Sequence, residues 1–308
     1  MLSNSSDRVA DKMDGYLFYL LYERGLSKNT IIHYSHDLSL FMRYMARQLS
    51  IEPLQLRLAA ITPEHICSFL DYLRDERGNT NRSTKRRLAA LRSFFDYIVA
   101  VASTPSKPLR NPASVVLPPS APEPLPSPLS LEDSVSLLRA VRAHGPNPKR
   151  DYAIMRLFLH CGARLSEVLE LNREHISLEG EFVRLDAFGV RDRLIPLSEE
   201  TGNALAAYLK ARPTVSSPRV FINRNGRPIS KGAIYHAIDK CASAASLSHK
   251  KVTVSMLRHT CFTLLAKEGF TAEELQTLAG LRRIQTPRAY LRLASKEQQT
   301  PDGSNADD

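Results

Sequence analysis

Nine of the nineteen prolines in this 308-residue chain lie within residues 105–128. Proline removes a backbone hydrogen-bond donor and biases the preceding residue toward extended conformations, so this stretch cannot be helical. We predict a semi-rigid linker between two domains, residues 1–104 and residues 129–294, and the chain is long enough for two cores. The polar residues 295–308 are predicted to form a disordered tail.

The first domain is predicted to be helical throughout. Ser27 follows a stop signal at Gly25 and is the predicted N-cap of a helix. Thr62 and Pro63 open another, because proline fits the first helical position. Hydrophobic residues recur at helical spacing in both and in two further segments. The four helices are predicted at residues 13–22, at 30–45, from 63 onward and at 83–99.

The second domain is predicted to mix helices with a little strand, so the fold class is mainly α (α+β). Two strands, residues 182–185 and 193–197, flank a turn at Phe188 and Gly189, and residues 220–222 are a candidate third strand. A last helix carries Tyr290. The other helices are predicted at residues 131–143, 151–160, 166–171, 231–245, 255–268 and 271–280.

Charge and cysteine content narrow the function classes. A net charge of +10 favours a polyanion partner, since lysine and arginine gain from counterion release on phosphates. A merely soluble basic protein is the alternative from charge alone. The four scattered cysteines are expected to be reduced, with no metal site and no disulfide framework. No signal sequence or membrane-length apolar run is present, so we expect a cytoplasmic protein.

One helix of the first domain carries an unusual charge pattern. Residues 77–95 contain six basic residues and no acidic one, and apolar residues occupy the opposite face. Such a helix suits contact with a DNA groove, whereas a solvated surface normally intersperses acidic residues. The predicted DNA contacts are Arg82, Lys85, Arg86, Arg87 and Arg92.

Three motifs of the second domain carry the chemistry. They are Gly-Ala-Arg164-Leu-Ser-Glu167, Met-Leu-Arg258-His259-Thr and the segment that ends at Tyr290. Together with residues 25–38 of the first domain, they resemble the tyrosine recombinases (the lambda-integrase family), especially Xer-type enzymes and transposon integrases. The resemblance implies a helical core-binding domain and a mostly helical catalytic domain with a small antiparallel sheet.

The residue types fit metal-free cleavage of a DNA phosphodiester, with no cofactor expected. Tyr290 supplies an oxygen nucleophile that forms a 3′-phosphotyrosyl intermediate. Arg164 and Arg258 are predicted to clamp the phosphate and stabilise its developing charge. Glu167, one helical turn after Arg164, is placed to orient that guanidinium. The resemblance puts His259 in the lining of the site.

The chain departs from the family pattern at the groups that transfer protons. Phe188 occupies the position of the family's hairpin lysine, Ser255 that of a histidine, and Leu281 that of a histidine or tryptophan. Arg191 is too weak an acid to replace the lysine, although it still stabilises charge. Lys250 and Lys251 are alternative substitutes for that lysine.

Three interpretations remain at this point. The first is a DNA strand-exchange protein of a mobile element with an atypical acid/base set. The second is a catalytically inactive homologue that binds DNA, and the third is a binding module that is not a recombinase. For the first two, the resemblance implies double-stranded DNA as partner, a tetramer on paired sites and a paralogous recombinase as a further partner.

Overall fold

The computed structural model describes residues 7–106, 108–119, 127–187, 190–281 and 283–298. The chain divides into two compact units, Met1–Pro124 and Leu125–Asp308. Both are dominated by helices, and the second holds a small antiparallel sheet, so the predicted fold class is confirmed. Among the described residues, no helix has the length and apolar character that a membrane crossing requires.

The first unit is built on long helices with defined starts. Ser27 accepts a hydrogen bond from the Thr30 N–H at 3.2 Å, which confirms the predicted N-cap. Thr62 caps the next helix, and Pro63 is its first residue. The first helix begins earlier than predicted and ends in a π-turn over Tyr19–Glu23. The helices are α1 Val9–Phe18, α2 Lys28–Leu49, α3 Pro63–Asp75 and α4 Asn81–Ala102.

The core of the first unit lies between these helices. In α2, hydrophobic residues at helical spacing face inward: Leu38, Phe41 and Met45 are buried, and Tyr34 is half-buried. The Phe41 ring packs edge-on against Phe69 of α3, with centroids 5.1 Å apart. Helix α4 contributes Leu88, Leu91, Phe94, Phe95 and Ile98, all buried. The basic residues of α4 are therefore confined to the remaining faces of that helix.

Part of the proline-rich stretch packs onto the first unit. Ala113 and Val116 are fully or almost fully buried in its core. Arg92 of α4 holds this segment, because its guanidinium donates hydrogen bonds to the carbonyl oxygens of both residues. Residues 108–119 contain no helix, as the prolines predict. Residues 120–126 of the predicted linker lie outside the described residues.

The second unit contains the remaining elements in mixed order. Its sheet has the order β1-β2-β3, with antiparallel neighbours. The strands are β1 Ile176–Ser177, β2 Phe182–Ala187 and β3 Val190–Pro196. The helices are α5 Leu131–His144, α6 Pro148–His160, α7 Leu165–Glu170, α8 Glu199–Ala211, α9 Lys231–Ala244, α10 Val254–Lys267, α11 Ala272–Ala279 and α12 Gln285–Gln298.

Two sequence predictions for this unit need correction. The third strand is β1, whereas of residues 220–222 only Ile222 forms a bridge, an isolated one to Pro228. Pro218 and Pro228 flank those residues, and proline cannot donate to a ladder. Helix α8 was not predicted from the sequence, although Ser198 caps it by accepting from the Thr201 N–H.

Helices α10, α11 and α12 form a small core of their own. Phe262, Leu275, Ala279, Tyr290 and Ala294 are buried within it. Helix α12 continues to Gln298, beyond the tail boundary predicted at residue 295. The candidate nucleophile is therefore held inside a packed helix cluster.

Candidate active site

Glu167 and Arg164 are joined at the start of α7. The Arg164 N–H donates to Glu167 Oε2 at 2.6 Å, and its Nη1 donates to Oε1 at 2.7 Å. Glu167 is 2% exposed, and burial alone would raise the pKa of its carboxyl. Hydrogen bonds and charge from Arg193 and Arg164 outweigh burial and hold that pKa below its ordinary value. A buried, ionised carboxylate thus fixes the Arg164 guanidinium.

Arg193 of β3 is a site residue that the sequence analysis missed. Its Nη1 and Nη2 donate to the two oxygens of Glu167 at 2.7 and 2.9 Å, and its Nε donates to the Leu278 carbonyl at 2.8 Å. The sequence placed Arg193 in a strand but gave it no role. The residues next to Arg193 in the sequence do not indicate a role in the site, because its partners Glu167 and Leu278 are remote in sequence.

The C-terminal end of α11 provides acceptors for the arginines. Arg164 Nη2 donates to the carbonyls of Ala279 and Gly280 at 3.0 and 2.8 Å, and Arg258 Nη2 donates to Ala279 at 2.6 Å. Helix C-terminal carbonyls carry partial negative charge, so they suit cations. Gly280 caps the helix with a φ of 57°, and a Cβ there would lie 3.2 Å from Arg193 Nη1. Glycine therefore permits the close approach of the arginines.

Arg258 of α10 belongs to the same cluster and is half-buried. It donates to the Gly162 carbonyl, and its Cζ lies 4.9 Å from the centre of the Phe262 ring. Burial, together with the positive charges of Arg164 and Arg193, lowers the pKa of Arg258 to about 10. The group therefore stays charged at neutral pH. The three guanidiniums face a single carboxylate, which leaves the cluster with net positive charge.

Tyr290 lies against this cluster. It is 2% exposed, and burial raises the pKa of its phenol while the charges of Arg258 and Arg164 lower it. Its Oη lies 2.9 Å from Nδ1 of His259 on α10. The structure therefore brings together all five residues that the sequence analysis named for the site, namely Arg164, Glu167, Arg258, His259 and Tyr290.

The positions at which this chain departs from the family pattern lie in different surroundings. Ser255 is exposed on α10, and Leu281 packs against the small core of α10–α12. Lys250, a candidate substitute for the family's lysine, forms an ion pair with Asp133 at the start of α5. Phe188 lies outside the described residues, as does the side chain of Arg191. Replacement of the family's lysine by Lys250 or Lys251 therefore stays a prediction.

The basic helix of the first unit is less uniform than its sequence predicts. Arg86 and Arg87 both pair with Asp37, a buried carboxylate of α2. Arg92 donates hydrogen bonds to the carbonyl oxygens of Ala113 and Val116, so its guanidinium already has partners within the first unit. Arg82 is exposed and Lys85 half-buried, and neither forms an ion pair within the part of the chain that the structure describes. Of the five predicted DNA contacts, these two are the most available to a phosphate.

Comparison with known proteins agrees with this geometry. Residues 129–297 match the Phage integrase family, and residues 13–101 match its N-terminal SAM-like domain. The tyrosine recombinase XerC of Caldanaerobacter subterraneus subsp. tengcongensis is 30% identical over 90% of this chain and 82% of the relative. The tyrosine recombinase XerD of Listeria monocytogenes serotype 4b is 31% identical over 91% of this chain and 93% of the relative.

Solved structures share the fold at lower identity. The XerH site-specific recombinase bound to a palindromic difH substrate has a TM-score of 0.75 and 20% identity, over 97% of this chain and 90% of that chain. A lambda integrase tetramer bound to a Holliday junction has a TM-score of 0.70 and 18% identity, over 99% of this chain and 81% of that chain. The matches in sequence and fold show that this chain belongs to the phage integrase family, and its function is site-specific DNA recombination.

Proposed function

We propose that Tyr290 cleaves and rejoins DNA through a 3′-phosphotyrosyl intermediate. The single observation that supports this most is the meeting of Arg164 and Arg258 at the Ala279 carbonyl, with the buried Tyr290 under the influence of both charges. A scissile phosphate held by these arginines would receive charge stabilisation where the pentavalent phosphorus develops. The bond energy is conserved in the tyrosyl ester, so rejoining requires no cofactor.

Supporting roles follow from the same contacts. Glu167 orients Arg164 and is itself held by Arg193, so the phosphate-binding guanidinium is fixed before DNA arrives. His259 lines the site beside the nucleophile. The net charge of +10 supports binding of double-stranded DNA, with Arg82 and Lys85 as phosphate contacts in the first unit.

We further propose a tetramer on paired DNA sites, assembled with a paralogous recombinase or with further copies of this chain. A cytoplasmic location and service to a mobile element complete the proposal. The lambda integrase structure described above, a tetramer on a Holliday junction, supports the assembly by analogy of fold only.

A suicide DNA substrate, whose cleaved fragment diffuses away, tests the proposal. The wild-type chain should form a covalent complex with DNA that resists detergent, and Tyr290→Phe should form none. Arg164→Ala and Arg258→Ala should reduce the adduct by roughly 10²-fold or more, as for other groups that stabilise transition-state charge. Tyr208→Phe is the matched control, because Tyr208 is a second buried tyrosine of the same unit.

The same assay separates cleavage from binding. Gel-shift affinity for the substrate should be retained in Tyr290→Phe. If the wild-type chain binds DNA but forms no adduct, the catalytic proposal is wrong and the chain is a DNA-binding homologue of the recombinases.

A further inference from the structure

Helix α10 holds the phenol of Tyr290 against an imidazole. Nδ1 of His259 lies 2.9 Å from Oη of Tyr290, and the two ring centroids are 5.7 Å apart. Phe262, three residues further along α10, packs against the same tyrosine ring at 5.5 Å. Residues three apart share a helix face, so α10 fixes the phenol from two positions. The hydroxyl is thereby placed in hydrogen-bond contact with a group that can accept its proton.

The surroundings of Tyr290 make such an acceptor necessary. The phenol must lose its proton as it attacks phosphorus, but burial raises its pKa. Arg258 and Arg164 stabilise the phenolate, yet a guanidinium has no lone pair to accept a proton. The thiol of Cys261 also acts on Tyr290, and burial holds the pKa of that thiol well above its ordinary value. Of these neighbours, only the imidazole is suited to proton transfer at neutral pH.

His259 lies one helical turn after a position of α10 at which the chain departs from the family pattern. Ser255 stands where the resemblance places a histidine, and it precedes His259 by four residues on α10. Residues four apart lie on the same face, one turn from each other. The chain therefore lacks an imidazole at the exposed turn but has one on the next turn, in contact with the nucleophile.

We propose that His259 is the proton acceptor for Tyr290, an inference that rests on the proposed function. During cleavage a bond forms between Oη and the scissile phosphorus, and the bond from phosphorus to the 5′-oxygen breaks. The phenolic proton moves to Nδ1 of His259, and solvent water protonates the departing 5′-oxygen. On rejoining, the 5′-hydroxyl attacks phosphorus and gives its proton to solvent water. The bond from phosphorus to Oη breaks, and the imidazolium returns its proton to the tyrosine oxygen. This role requires a neutral resting histidine that carries its hydrogen on Nε2.

His259→Asn tests this role with little change in shape. The amide oxygen of asparagine can take the place of Nδ1 and keep the hydrogen bond, but it cannot accept the proton. Single-turnover cleavage of the suicide substrate should slow by roughly 10²–10⁴-fold, the usual contribution of a positioned base. DNA affinity and thermal unfolding should stay at wild-type values. His236→Asn, at an exposed histidine of α9, is the matched control and should leave the rate unchanged.

A second substrate identifies which proton is transferred. When sulfur replaces the bridging 5′-oxygen, the leaving thiolate needs no proton, so only defects in proton donation to the leaving group are relieved. His259→Asn should remain slow on this DNA. Recovery of the wild-type rate there, or wild-type cleavage by His259→Asn on ordinary DNA, would overturn the proposal. Absence of any adduct with the wild-type chain would instead overturn the proposed function, and this inference with it.

Discussion

Arg193 and Glu167 form two parallel hydrogen bonds, with Nη1 to Oε1 at 2.7 Å and Nη2 to Oε2 at 2.9 Å. Both side chains are buried, with 7% and 2% of their surface exposed. Arg164 donates to the same carboxylate, so Glu167 is shared by two guanidiniums. Arg193 therefore acts on Arg164, the arginine proposed to bind the phosphate, through the carboxylate that holds both. It is a positioning residue on β3, the second strand of the β2–β3 hairpin.

Arg193→Met should destabilise the second unit and slow cleavage. Methionine fills the space but leaves Glu167 with one cationic partner, and breaking a buried ion pair costs about 3–5 kcal/mol. The double variant Arg193→Met with Glu167→Gln should recover part of that stability, because the buried charge is gone. It should not recover cleavage, since Arg164 stays unoriented. Chemical denaturation and single-turnover cleavage measure the two effects.

If the double variant is no more stable than Arg193→Met, the loss of stability comes from packing and not from the uncompensated carboxylate. Arg193→Lys provides an intermediate case, because lysine retains the charge without the two parallel bonds.

Stability in acid should depend on Glu167. Its folded-state pKa lies below the ordinary value of 4.5, so its contribution is fully present above that value and disappears as the pH falls through the folded pKa. The free energy of unfolding of the wild-type chain should therefore fall in this acid range. Glu167→Gln should show a shallower decline, measured by urea denaturation from pH 7 to acid. Parallel pH profiles for the two proteins would contradict the lowered pKa.

Local features of this fold could be read from the sequence, whereas remote contacts could not. The N-cap at Ser27 and the Arg164–Glu167 pair depend on residues three apart, and sequence patterns capture such contacts. The role of Arg193 depends on partners 26 and 85 residues away. Arg92 was likewise predicted to contact DNA. In the structure its guanidinium donates instead to carbonyl oxygens of residues 113 and 116, which are 21 and 24 residues later in the chain.

Salt dependence should distinguish available cations from engaged ones. Arg82→Gln should weaken DNA binding and reduce the slope of log affinity against log salt by about 1, the change expected for one lost phosphate contact. Arg74→Gln removes the same charge from an exposed arginine of α3 that pairs with Asp71 and Asp75, so it should change the slope little. Fluorescence anisotropy over a salt series provides both slopes. Equal slopes for the two variants would exclude Arg82 as a phosphate contact.

Gly280→Ala should displace the side chains of Arg193 and Arg164, because a Cβ at this position would crowd them. Gly280 has a φ of 57°, and an added Cβ would lie 3.2 and 3.3 Å from Nη1 and Cδ of Arg193 and 3.5 Å from Nη1 of Arg164. Gly269→Ala is the matched control, because its φ is 95° and no atom lies within 4 Å of an added Cβ. Both variants carry left-handed backbone strain of roughly 1–2 kcal/mol. Only Gly280→Ala should also reduce single-turnover cleavage, since it alone displaces Arg164, the proposed phosphate ligand, and Arg193, which positions Arg164 through Glu167. Equal cleavage by the two variants would show that the arginines tolerate movement at the end of α11.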